Sequence, residues 1–102
     1  MKLKFYSTKK LKKEILKIIG KYLDLNSYKV FFFGSRVTGK ANERSDIDIG
    51  IEGPKPLPAE ILLDIQEEIE NLPTLYKIEI VDFATVDKKF REVALQCIES
   101  IN

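Results

Sequence analysis

Residues 45–51 read Ser-Asp-Ile-Asp-Ile-Gly-Ile, and this strict alternation constrains the fold more tightly than any other feature of the chain. Successive side chains of a β-strand point to opposite faces, so Ile47, Ile49 and Ile51 share one face while Asp46, Asp48 and Gly50 share the other. Both carboxylates therefore point the same way. An apolar isoleucine face needs a cover, and the rest of the sequence supplies candidates for it.

Leu11, Ile15, Ile18, Ile19, Tyr22 and Leu23 recur at intervals of three and four with lysines between them, which predicts an amphipathic helix over residues 8–23. Tyr28-Lys29-Val30-Phe31-Phe32-Phe33 is short, aromatic and β-branched and stops at Gly34, as a buried strand does. A polar connection follows over residues 35–44, with room for one helical turn before Gly39. After the proline-rich loop at residues 53–58, Pro58 opens a helix marked by Ile61, Leu62, Ile65, Ile69 and Leu72, which Asn71 and Pro73 end. Residues 75–83 form a third strand. Asp87 caps a last helix predicted to carry Phe90, Val93, Ala94, Cys97, Ile98 and Ile101. The order helix, strand, strand, helix, strand, helix predicts an α/β (α+β) protein, a small mixed β-sheet flanked by helices. The strand-helix-strand unit over residues 46–83 favours parallel pairing of its two strands.

With 102 residues and 44% hydrophobic content, the chain is expected to form a single domain over residues 1–102. Seventeen basic and sixteen acidic residues leave a net charge of +1, so no global field of a dedicated nucleic-acid binder is present. Eight lysines and only Glu14 as an acid fall within residues 1–21. That run reads as a solvated helix face, with a docking surface for RNA or an acidic protein as the alternative. The absence of histidine excludes His-based acid-base catalysis and His metal sites. Cys97 has no partner for an internal disulfide and is expected to be a buried small hydrophobe in the last helix. No apolar run is long enough to span a membrane, and a cytoplasmic location is the expectation.

Carboxylates at i and i+2 on one strand face lie about 6 to 7 Å apart along the backbone, within reach of one hard, oxygen-seeking cation such as magnesium. A Gly-Ser directly after a buried strand turns the chain sharply and presents N–H groups and a hydroxyl that can cradle a phosphate. Either motif alone is common, as surface alternation or as a strand-ending turn. Here both occur, with Gly34-Ser35 followed by ten residues and then Asp46-Ile47-Asp48.

That pairing resembles the signature of the DNA polymerase beta-like nucleotidyltransferase superfamily. Phe33-Gly34-Ser35-Arg36-Val37-Thr38-Gly39 followed by Ser45-Asp46-Ile47-Asp48-Ile49 is similar to its minimal nucleotidyltransferase (MNT) family. The resemblance spans essentially the whole chain and implies the nucleotidyltransferase fold. It also implies a reaction: ATP as substrate, Gly34, Ser35 and Arg36 at the nucleotide, and Asp46 and Asp48 on two magnesium ions. An acceptor hydroxyl attacks the α-phosphorus and pyrophosphate leaves. Arg36, Lys40 and Arg44 on the connecting loop could neutralise phosphate charge, although solvated loop charges are the commoner case.

Such enzymes use a third carboxylate on a neighbouring strand, for metal and for the acceptor's proton. Glu79 and Asp82 are the candidates, and their odd spacing sends them to opposite faces. With Ile78 and Ile80 on the apolar face, Glu79 is the favoured residue and Asp82 the alternative. Glu79 departs from the family's aspartate by one methylene. The resemblance further implies a HEPN-domain toxin as partner, silenced by AMP added to a tyrosine, in a hetero-oligomer. The alternative reading is a nucleotide-binding module that acts by docking onto its partner.

Overall fold

A computed structural model describes residues 1–42 and 44–102. Its elements run α1 (Thr8–Ile19), β1 (Lys29–Phe33), α2 (Ser35–Thr38), β2 (Ile47–Glu52), α3 (Ala59–Glu70), β3 (Ile78–Asp82), α4 (Lys88–Ala94) and β4 (Glu99–Ser100). The four strands form one sheet in the order β3-β2-β1-β4. β2 and β3 are parallel and joined through α3, while β1 is antiparallel to both β2 and β4. The expected mixed sheet and the parallel pair are both present.

The alternation in β2 divides the molecule as the sequence requires. Ile47, Ile49 and Ile51 have no exposed surface and pack with Val30 and Phe32 of β1 against Leu11, Ile15 and Ile19 of α1 and Ile65 and Ile69 of α3. Each fully buried side chain of this kind contributes on the order of 1.5–3 kcal/mol, so this face anchors the domain. The opposite face carries a smaller aromatic cluster of Phe31, Phe33 and Phe83. Phe83 meets Phe31 edge-on at 4.9 Å and Phe33 at 5.0 Å between ring centroids, the geometry that ring quadrupoles favour. Gly50 makes that cluster possible, because a Cβ there would lie 2.4 Å from the Phe31 ring and 2.7 Å from that of Phe83.

α1 begins at Ser7, whose side chain accepts the Lys10 N–H at 3.2 Å, and ends at Gly20, three residues before the expected limit of residue 23. Glycine is a poor helix former, and the chain continues in turns that still pack Tyr22 and Leu23 on the core. Part of the lysine run is paired at the surface: Lys12 Nζ lies 3.0 Å from Glu99, and Lys21 joins Tyr22 on the Glu68 carboxylate.

The last helix is shorter than its apolar spacing predicts. Asp87 accepts the Phe90 N–H at 2.8 Å as expected, but α4 stops at Ala94. The chain then returns as β4 alongside β1, with Glu99 opposite Phe32, Ser100 opposite Phe31, and the Ile101 N–H bonded to Val30 O at 2.8 Å. Ile98 joins the aromatic face, whereas Ile101 joins the isoleucine face. Cys97, past the end of the helix, is exposed rather than buried, with its Sγ 4.0 Å from Val37 O. Among the described residues no helix is long and apolar enough to cross a membrane.

Candidate active site

The site forms where three strands present residues side by side. Phe33 of β1 pairs with Asp48 of β2, which pairs with Glu79 of β3. Strand parity places Asp48 and Glu79 on the face away from α1 and α3. They line an open cleft of about 540 Å³ together with Gly34, Thr38 and the α4 residues Phe90, Val93 and Ala94.

Gly34 turns the chain out of β1 with φ 84° and ψ −162°, a backbone that side-chain-bearing residues rarely adopt. A Cβ at this position would lie 2.4 Å from Asp48 Oδ2. Glycine is thus required twice, for the turn and for the approach to the carboxylate. The Gly34 carbonyl accepts the N–H groups of Val37 at 3.1 Å and Thr38 at 3.2 Å, which winds α2 and leaves the Ser35 N–H without a partner inside the helix. Gly39, at φ 81°, closes the turn, and the Lys40 N–H reaches Ser35 O at 3.1 Å.

The loop from α2 to β2 is tied to both ends of the site. Arg36 Nε donates to Ser45 O at 2.9 Å, and its guanidinium lies 4.8 Å from the Tyr76 ring centroid. The Asn42 N–H bonds to Ser45 Oγ at 3.1 Å, and the Ser45 N–H bonds to Asn42 O at 3.2 Å. These contacts fix the residue immediately before Asp46. Arg36 lines a cleft beside Lys2 and Lys4, and Arg44 lines another with Phe5 and Leu75, so neither side chain borders the cleft of Asp48 and Glu79.

Burial, with the charges of Glu79 and Asp46, raises the pKa of the half-buried Asp48 above its ordinary value. Lys77 Nζ stands 3.4 Å from Glu79 Oε1, an exposed contact of small energetic weight. Asp82 is on the other face, 5% exposed, where Oδ2 accepts the Leu57 N–H at 2.8 Å and Oδ1 accepts the Ala84 N–H at 2.9 Å. Glu79 therefore stands with Asp48, and Asp82 is a buried latch between two loops.

The donor set of Asp46, Asp48 and Glu79 is all oxygen and anionic, which suits a hard divalent cation. Among the described residues no three acidic, cysteine or histidine side chains already converge as a cage. Burial, with Glu79 and Asp46, instead raises the electrostatic cost of ionising Asp48, a cost that a cation would relieve. Neither Lys77 nor the cleft wall formed by Phe90 and Val93 carries a sequence signal of a site. Their helical spacing reads as core, yet they are 43% and 62% exposed.

A profile of the family described as Polymerase beta, Nucleotidyltransferase matches residues 13–101. A Haemophilus influenzae protein described as a probable protein adenylyltransferase, MntA, is 33% identical over 85 residues, covering 81% of this chain and 75% of the relative. Two solved structures share the fold. A chain from a toxin-antitoxin crystal structure with AMP-PNP aligns with TM-score 0.73 at 15% identity, covering 89% of this chain and 72% of its own. A chain from the tri-AMPylated Shewanella oneidensis HEPN toxin in complex with MNT antitoxin aligns with TM-score 0.72 at 12% identity, covering 94% and 72%.

Proposed function

The chain belongs to the Polymerase beta, Nucleotidyltransferase family, and from that membership we propose that it transfers AMP from ATP to a tyrosine hydroxyl of a HEPN-domain toxin. The observation that carries the reading is the abutment of Gly34 on Asp48 with Glu79 in register beside it. Gly34 of the turn and the carboxylate-bearing residues Asp48 and Glu79 line one cleft.

In this reading Ser35 donates its hydroxyl and N–H to the β and γ phosphates. Arg36 contributes its backbone, while its side chain holds the Ser45 carbonyl and so fixes Asp46. The apolar wall of Phe90, Val93 and Ala94 receives the nucleoside. Asp46, Asp48 and Glu79 would hold magnesium, which would supply charge neutralisation for the displacement. The tyrosine oxygen forms a bond to the α-phosphorus as the bond to the bridging oxygen of pyrophosphate breaks, and Glu79 accepts the phenolic proton. The partner supplies its own docking surface, and the two chains form a hetero-oligomer during transfer.

The test is incubation of the chain with ATP, magnesium and a HEPN partner, read by mass spectrometry. An AMP adduct on a partner tyrosine, lost with Asp46→Ala, is the expected result. No adduct from the wild-type chain, or the same adduct from Asp46→Ala, overturns the reading.

A second reading, a nucleotide-binding module that acts by docking, draws on the Lys77 contact to Glu79, which occupies the proposed proton acceptor. ATP binding with no transfer to any partner would favour it.

A further inference from the structure

Among the described residues β3 is an outer strand of the sheet, with no strand beside one of its edges. Backbone groups alternate between the two edges of a strand. Lys77 O faces β2 and accepts the Ile47 N–H at 2.8 Å, which leaves the carbonyl of Ile78 and the N–H of Ile80 facing the open edge. These two groups flank Glu79. Both are taken by one side chain of α3: Gln66 Nε2 donates to Ile78 O at 2.8 Å, and the Ile80 N–H donates to Gln66 Oε1 at 2.9 Å. The second N–H of the amide reaches Glu70 Oε1 at 3.1 Å.

We propose that Gln66 is a positioning residue for Glu79, its amide standing in for a missing strand and fixing the two peptide planes that aim the Glu79 side chain at Asp48. The inference rests on the proposed function. Glu79 is exposed and has one more rotatable bond than an aspartate. Its ion pair with Lys77 is exposed at both partners, so that contact holds the carboxylate weakly. The direction in which the carboxylate leaves the sheet is consequently set by its backbone. At an unclamped edge that backbone would frey into solvent, and the carboxylate would spread over a wider arc. α3 itself packs through Ile65 and Ile69, so it delivers the amide from the rigid side of the molecule.

Three variants and one control separate positioning from general stability. Gln66→Met keeps the length of the side chain and loses both bonds. Gln66→Glu keeps an acceptor for Ile80 and loses the donor to Ile78. Glu70→Gln leaves the clamp in place. Leu62→Ala, on the same helix, removes core packing and leaves the Gln66 amide itself unchanged. Two quantities are read: amide hydrogen exchange at Ile80 in metal-free protein, and the magnesium concentration for half-maximal AMP transfer.

The expected result for Gln66→Met is faster exchange at Ile80 and a magnesium requirement raised about tenfold or more, the usual scale for loss of a residue that orients a metal ligand. Gln66→Glu falls between, and Glu70→Gln matches the wild type. A magnesium requirement within about twofold of wild type in Gln66→Met, against that expected tenfold, overturns the proposal. An equal rise in Leu62→Ala also overturns it. If the wild-type chain transfers no AMP, the proposed function is what fails. The comparison is then made on the magnesium concentration at which a non-hydrolysable ATP analogue binds, and equal values for wild type and Gln66→Met overturn the positioning role.

Discussion

Gly34 and Asp48 stand so close that a Cβ on the glycine would lie 2.4 Å from the Asp48 Oδ2. The turn that is proposed to receive phosphate and the carboxylate proposed to receive metal are therefore one steric unit. Gly34→Ala combines this clash with a positive φ, and the backbone strain alone costs about 1–3 kcal/mol. Urea unfolding should show that loss. Transfer should fall by roughly a hundredfold, the scale of a misplacement near 1 Å, in single-turnover assays on the fraction that remains folded.

Asp48 works against the stability of the metal-free fold. Its pKa is raised in the folded state, chiefly by burial and then by Glu79 and Asp46, so the folded chain holds this proton more tightly than the unfolded chain. Stability from this group is consequently highest at low pH and is lost as pH rises from the ordinary value of 3.8 through the raised one. Asp48→Asn removes the ionisation. It should melt at a higher temperature than wild type at neutral pH without magnesium, and the gap should narrow as pH falls through that window. A gap that stays constant with pH would contradict the assignment.

Glu79→Gln and Asp82→Asn should fail in different assays. The first removes the proposed proton acceptor, and its turnover should drop by about a hundredfold or more, within the range for general bases, with the melting temperature little changed. The second disturbs a buried carboxylate that accepts from Leu57 and Ala84, since an amide offers only one acceptor oxygen. It should lose about 1–3 kcal/mol in denaturant titrations and keep its turnover. Loss of transfer in Asp82→Asn alone would reverse the two roles.

Phe90 meets Phe33 edge-on at 6.1 Å while exposing part of its ring to the cleft. Contact between a base and an aromatic ring is commonly worth about 1–3 kcal/mol, so Phe90→Ala should raise the KM for ATP by about tenfold. The maximal rate should change much less. Because the wall offers apolar surface and few groups to read a base edge, GTP should substitute for ATP with a modest penalty in competition binding assays.

The faces of β2 were legible because a period of two admits few other structures, and the isoleucine core and the carboxylate face follow from that one segment. Parity likewise separated Glu79 from Asp82 before any coordinates. The end of α4 was not legible. Ile98 and Ile101 continue the helical spacing of Phe90 and Val93, but they flank the short strand β4, whose pairing with β1 is set by residues some seventy positions away. Cys97 was misplaced for the same reason. Arg36 carries the charge a phosphate would attract, yet its partners, Ser45 O and the Tyr76 ring, depend on how the loop closes. Gln66 looked like any polar residue on a helix, since only the position of the sheet edge gives its amide a purpose.

Both long helices, α1 and α3, cover the isoleucine face, while among the described residues the cleft on the carboxylate face is bordered by the short α2 and α4. An open face of this kind is flooded by water until something settles on it. Under the proposed function that something is the acceptor protein, which acts as the lid of the enzyme that modifies it. The electrostatic gain from excluding solvent then arises only when the correct target is seated. ATP held without a target would be consumed slowly, and fidelity would come from the seating of the acceptor itself.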